Sequence, residues 1–283
     1  MEEKDIRVVQ RVRNQSGEIL AEAVKEARIE NDMTMLADEM NLLRTDLENI
    51  DSNFSMSNVI KKRIAEFNNS TSDPFTFRCN DNISQFIDDE KELELLIEEV
   101  ATRFQTVLES LVIDTENDHN TRDTAIRVAK MFILETFGGR YRAKPKVTSF
   151  PNVGYHGLYT TGPISIKSTC AHHFQNIVGK CWVGVVPEKE VIGLSKFNRI
   201  VHHIAERPQI QEEMTTQIAG ELKEFTKSDN IAVVLKAEHH CMTHRGVKEH
   251  ESDMVTTHLS GTFKVNDALR AEFYNLIQNL KSF

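Results

Sequence analysis

Cysteine is scarce, with four in 283 residues (Cys79, Cys170, Cys181 and Cys241). So few in a chain this long do not make a disulfide framework and predict reduced thiols in a cytosolic protein. Long apolar runs are missing as well. No stretch approaches membrane-spanning length, and the opening MEEKDIRVVQ lacks an apolar signal core. Positive charge is in deficit, with 34 Lys and Arg against 43 Asp and Glu and a net charge of −9. That balance argues against a nucleic-acid surface and against attraction to anionic lipids. An anionic small substrate remains compatible if its basic contacts are concentrated locally. There is no internal repeat. What is present is 40% hydrophobic content, enough for a sizeable core.

The first ~90 residues differ from the rest, being rich in Glu, Asp, Asn and Met. Within them Ile29, Met33, Leu36, Met40, Leu43, Leu47 and Ile50 recur at alternating spacings of four and three. This seam over residues 29–50 fits either a coiled coil or an amphipathic helix packed on its own domain. Residues 68–74 (NNSTSDP) read as a linker. The expected division is a helical extension, residues 1–90, with a protein partner as one role for it, and a catalytic domain, residues 91–283. Removal of residues 1–90 is expected to leave that domain folded.

From residue 88 the pattern becomes globular. DDEKELELLIEEVATRFQTVLESL and TRDTAIRVAKMFILETFGG read as helices, the second stopped by Gly138 and Gly139. GPISIKST and IVGKCWVGVVP read as strands. SKFNRIVHHIAE and IQEEMTTQIAGELKEFT follow as helices. IAVVLKAEHHC and DMVTTHLSGTF are strands, and NDALRAEFYNLIQNL closes as a helix. The order predicts an α+β domain with a mainly antiparallel sheet.

The chemistry gathers in two clusters. STCAHHF (168–174) holds Cys170 and His173 at C-x-x-H spacing, and EHHCMTHRG offers Cys241 as a third soft ligand. Two thiolates and one imidazole leave zinc an open fourth position for water, as a catalytic site requires. Zinc lowers the pKa of such a water to about 7. Cys181, one strand away, is a rival ligand, though a buried small residue is the commoner role. His172 is then free to carry protons. Alternation along a strand puts His239 on the side of Cys241 and His240 on the other. Ser195, Lys196 and Arg199 stand in the first turns of a helix, a ready anion site, and Arg245 can add a fork for phosphate. Gln211 and Glu212 open the next helix, where a carboxylate can accept two N–H bonds from a guanine edge.

STCAHHF, VIGLSKFNRIV, ERPQIQEEMTTQIA and AEHHCMTHRG, in this order, together with AIRVAKMF, resemble GTP cyclohydrolase I. The resemblance runs from about residue 93 to the C-terminus. It implies that the imidazole ring of GTP is opened with loss of C8 as formate, giving 7,8-dihydroneopterin triphosphate. It implies zinc on Cys170, His173 and Cys241, with hydrolysis at the metal. His172 matches the family's proton donor to the purine ring, and His239 a second histidine assisting proton transfer. Glu212 matches the guanine anchor, with Gln211 beside it. Ser195, Lys196, Arg199 and Arg245 match positions around the ribose and triphosphate, and Arg127 and Lys130 match further triphosphate contacts. The implied architecture is the tunnelling fold, an antiparallel four-stranded sheet with two inserted helices, preceded here by N-terminal helices. The implied assembly is a homo-oligomer, a toroidal decamer with active sites between subunits.

One departure stands out. Ala171 occupies a position where the family usually has Glu, which touches the setting of His172 and the metal. Two other readings belong beside the enzyme. One is another tunnelling-fold purine or pterin enzyme, such as a pterin synthase or a nitrile reductase. The other is a non-catalytic, zinc-stabilised scaffold.

Overall fold

The computed structural model describes residues 55–279. The apolar seam at 29–50 lies outside the described residues. The chain divides into two units between Asn58 and Val59. The second unit carries the fold.

Helix α1 (Met56–Asn69) precedes α2 (Glu90–Ser110) and α3 (Thr124–Lys130), which runs on as a π-helical stretch (Met131–Thr136). A short α4 (Gly138–Tyr141) follows. Then come β1 (Ser149–Pro151), β2 (Tyr159–Cys170), β3 (Asn176–Val185) and β4 (Glu190–Ile192). Helix α5 (Leu194–Ala205), strand β5 (Pro208–Gln209) and helix α6 (Gln211–Thr226) come next. The chain returns as β6 (Ile231–His239), turns through α7 (His240–Thr243), and forms β7 (Met254–Leu259). Helices α8 (Thr262–Val265) and α9 (Asp267–Asn279) close the described chain.

The main sheet has the order β5-β2-β3-β6-β7, with β1 and β4 paired separately. The four long strands are antiparallel neighbours, and β5 joins β2 in parallel through a two-residue register. α5 and α6 lie in the connection between β3 and β6, as the element order predicted. The expected antiparallel α+β architecture is therefore present, with β5 as an added short edge.

Strand patterning explains the layers. In β2, Ile164, Ile166 and Ser168 are buried while Ser165 and Lys167 are exposed, the period of two of a half-covered strand. In β6, Ile231 through Leu235 are all buried, so that end is covered on both faces. On one face α5 contributes Phe197, Ile200, Val201 and Ile204, and α6 contributes Met214, Ile218 and Leu222. The α5 set recurs at three and four and the α6 set at four, the spacing of one helix stripe. Each such side chain removed from water contributes about 1.5–3 kcal/mol. On the other face Phe263, Phe273 and Ile277 pack on Trp182, Ala232 and Val234.

Gly138 and Gly139 follow the end of the α3 run at Thr136, where the sequence places a stop, and they also open α4. A Cβ at Gly139 would meet the His203 carbonyl oxygen at 1.9 Å, so glycine is needed for the close approach of α4 to α5. The Gly139 N–H donates to the Glu206 carbonyl (2.9 Å), and the Gly139 carbonyl accepts from Arg207 Nε (3.1 Å).

Residues 78–83 belong to the same unit as the sheet. Buried Arg207 donates to the Asn80 carbonyl (3.2 Å), Arg140 to that of Asp81 (2.9 Å), and Asn82 to that of Gly139 (2.8 Å). Arg63 on α1 forks onto Glu92 on α2 at 2.6 and 2.7 Å.

Candidate active site

Topology brings the two chemical clusters together. β2 and β6 are both antiparallel neighbours of β3, so they run the same way and end at the same edge. Ser168 of β2 lies opposite Ile177, and His239 of β6 lies opposite the same Ile177. Cys170 closes β2, and Cys241 stands two residues past β6. The Cys170 side chain is close enough to act on the Cys241 thiol. Cys170 is buried, and Cys241 packs on the core formed with α5 and α6.

Burial pushes the Cys241 thiol up, and the neighbouring Cys170 sulfur pushes it further; Arg245 pulls the other way. The Cys241 thiol therefore resists losing its proton until a cation is present to take the sulfur. This donor chemistry fits a soft divalent metal. Cys181 sits elsewhere, wholly buried in mid-strand, with its thiol pushed up to about 12 by burial alone. That is the setting of a core residue.

The turn after Cys170 is tight. The Cys170 N–H donates to the Gln175 carbonyl (2.8 Å), and Phe174 N–H donates back to the Cys170 carbonyl (2.9 Å). Phe174 takes a left-handed φ of 52° and sets its ring on Phe132 and Phe137, at 5.9 and 5.2 Å between centroids. Ala171 ties the turn to β5 through its N–H and the Gln209 carbonyl (3.1 Å). His172 and His173 are both exposed on this turn, with ring centroids 6.5 Å apart. His173 does not join the two sulfurs in a cluster with all donor atoms within 4.8 Å of one another.

The strand alternation expected through Cys241 does not hold. β6 ends at His239, and the chain enters helical α7 at His240. The turn, not a shared strand face, is what sets Cys241 relative to His239.

His239 is half-buried. Its Nε2 lies 2.7 Å from Gln211 Oε1. Gln211 Nε2 faces three acceptors, the Leu235 and Met254 carbonyls (3.2 and 3.1 Å) and Thr256 Oγ1 (3.1 Å). The amide is thereby oriented, its oxygen must accept, and the proton of His239 belongs on Nε2. Nδ1 is left as the free base. Burial lowers the pKa of His239, while the nearby Glu212 carboxylate opposes the shift. Glu212 is exposed at the start of α6; Gln211 beside it is fully buried.

Ser195, Lys196 and Arg199 lie in the first turns of α5, capped at Gly193 with no side-chain hydrogen bond and with no acidic residue in the first turn. Lys196 Nζ donates to the Lys146 carbonyl (3.0 Å). Arg245 follows α7 and is exposed. Arg127 and Lys130 are exposed on α3, which packs along α2; Arg127 pairs with Asp123 at 3.2 Å.

Sequence reasoning passed over two features. One is the role of Gln211, whose burial is invisible at a helix start. The other is a cluster of Glu238, His240 and His244, whose donor atoms lie within 4.8 Å of one another. The i, i+4 spacing of its histidines was legible, but a strand reading of HHC concealed it.

The profile of the family GTP cyclohydrolase I matches residues 100–278. The chain belongs to the GTP cyclohydrolase I family. It is 40% identical over 192 residues to GTP cyclohydrolase 1 of Vibrio vulnificus, covering 67% of this chain and 86% of that protein. It is 38% identical over 187 residues to GTP cyclohydrolase 1 of Buchnera aphidicola, covering 65% and 84%. The family match spans α3, the sheet, both inserted helices and both cysteine-bearing ends. Among the described residues, no helix is long and apolar enough to cross a membrane.

Proposed function

We propose that this chain hydrolyses GTP at its imidazole ring, releasing C8 as formate and rearranging the remainder to 7,8-dihydroneopterin triphosphate. GTP cyclohydrolase activity follows from membership of the family. The observation that best supports the mechanism is the meeting of Cys170 and Cys241 at one sheet edge, two residues from a histidine whose pKa burial lowers.

Cys170, Cys241 and His173 would hold zinc, which supplies a water ligand with a pKa of about 7. His172, exposed on the turn, gives a proton to the purine ring. His239, with Nε2–H donated to Gln211, takes a proton at Nδ1. Gln211 therefore acts through His239, as a positioning residue. The Glu212 carboxylate accepts N–H bonds from the guanine edge. The open N-terminus of α5, with Ser195, Lys196 and Arg199, faces ribose and triphosphate, joined by Arg245. Arg127 and Lys130 add triphosphate contacts from α3.

The tunnelling fold, the toroidal decamer and sites between subunits complete the reading, in a cytoplasmic enzyme. Its product suits tetrahydrofolate and pterin synthesis or deazaguanine synthesis. The extension binds a protein partner.

The test is the yield from GTP with zinc-replete full chain. Formate and 7,8-dihydroneopterin triphosphate in equal amounts are expected. Zinc-replete protein that releases no formate from GTP overturns the reading.

A further inference from the structure

The geometry points to a second metal site, separate from the Cys170–Cys241 pair, formed by Glu238, His240 and His244 and suited to a divalent transition metal of the zinc, nickel or copper class. Three observations converge on it.

The first is distance. The three donor atoms lie within 4.8 Å of one another. Glu238 Oε1 and His240 Nε2 are 3.8 Å apart, too far for a hydrogen bond. Two ligands at about 2.0–2.1 Å from one zinc ion lie at most ~4.2 Å apart, so this separation suits a shared ion.

The second is support. His240 and His244 stand four apart across the α7 turn, with ring centroids 4.3 Å apart. Residues four apart on a helical turn share a face. The His244 Nδ1 is 2.9 Å from the hydroxyl of buried Thr243, which fixes the ring. A hydrogen-bonded partner behind a ligating imidazole is the usual means of orienting it. One carboxylate with two imidazoles is a donor set for zinc, nickel or copper rather than magnesium or calcium.

The third is placement. Successive strand residues face opposite sides of a sheet. His239 turns to Gln211 on the side of α6, so Glu238 faces the other side. There it borders an open cleft of about 340 Å³ lined also by Val178, Lys180 and Lys236. Cys241 packs instead on the helix-side core. His244 is exposed, so water can complete the coordination and the ion can exchange. An ion held there would tie the end of β6 to the turn that carries Cys241.

The test is titration of metal-free full chain with Co²⁺, following the thiolate-to-cobalt charge-transfer band together with total bound metal. Two equivalents are expected, the first with the thiolate band and the second without it. The His240→Ala/His244→Ala double variant should lose the second equivalent and keep the thiolate band, which also shows that the fold survives. Thr243→Val should weaken the second equivalent about 10-fold or more, as loss of a partner behind a ligand does. A wild-type chain that binds only the thiolate equivalent overturns the inference, as does a double variant that still binds two. Loss of the thiolate band from wild type would instead count against the Cys170–Cys241 reading, so the two failures are distinct.

Discussion

Gln211 Oε1 lies 2.7 Å from Nε2 of His239 and is forced to accept, because its own NH2 is engaged by two carbonyls and a threonine. One buried amide thus decides which nitrogen of His239 can take a proton. Replacement by Met keeps the length and removes the acceptor. Gln211→Met is expected to lower kcat about 10- to 100-fold, as loss of a supporting partner does, with a smaller change in KM for GTP. The stability cost should be about 1–3 kcal/mol for the unsatisfied groups left behind.

The same pair sets a pH limb. Burial lowers the pKa of His239, so it is neutral above its folded pKa and loses its base function as pH falls through it. In Gln211→Met the acid limb of kcat/KM should move. An unchanged pH profile would remove Gln211 from the account.

Cys181 and Cys241 should separate cleanly. Cys241→Ala is expected to lose stoichiometric metal and formate release. Cys181→Ala should keep both, at a stability cost of about 1 kcal/mol for the lost buried sulfur. Metal analysis on the two variants checks this, and retained stoichiometric zinc in Cys241→Ala would refute that ligand.

His203 provides a stability prediction. It is buried, and its pKa is lowered to about 4, chiefly by burial and further by the charges of Arg207, Arg142 and Lys144. A histidine depressed in the folded state stabilises it fully above the unfolded value, about 6.5. That contribution is lost as pH falls from there through the folded pKa of about 4. Urea midpoints of wild type should fall between about pH 7 and pH 5 more steeply than those of His203→Gln. Equal slopes would show that other groups govern the acid limb.

The described chain begins with α1, and residues 78–83 satisfy Arg140 and Arg207. A chain starting at Ser55 keeps these contacts and serves as the reference. A chain starting at Lys91 should lose several kcal/mol, at about 1 kcal/mol for each hydrogen bond removed and more for the buried Arg207 left short of acceptors. Thermal melts of both truncations test this, and equal melting points would support the expected division at residue 90.

The element order was legible because periodicity is a local signal. Phe197, Ile200, Val201 and Ile204 announce a helix stripe, and Ile164 and Ile166 a half-buried strand. The chemical clusters were legible too, since Cys170 and Cys241 are scarce residues at telling spacings. What was hidden depends on contacts distant in sequence. Gln211 reads as an ordinary helix start, yet it bonds residues 24 to 45 positions away. Gly139 reads as a stop signal until the His203 carbonyl is seen against it. The end of β6 was misplaced by two residues because HHC carries no breaker; only the turn into α7 reveals the Glu238, His240 and His244 cluster.

The central claim is that the cysteine pair holds a metal on which GTP hydrolysis depends. The most direct measurement is the rate of formate release from GTP before chelation, after it, and after zinc is returned to the metal-free chain. Release should stop on chelation and recover with zinc in wild type, and never recover in Cys241→Ala. Undiminished formate release from metal-free protein would contradict the claim.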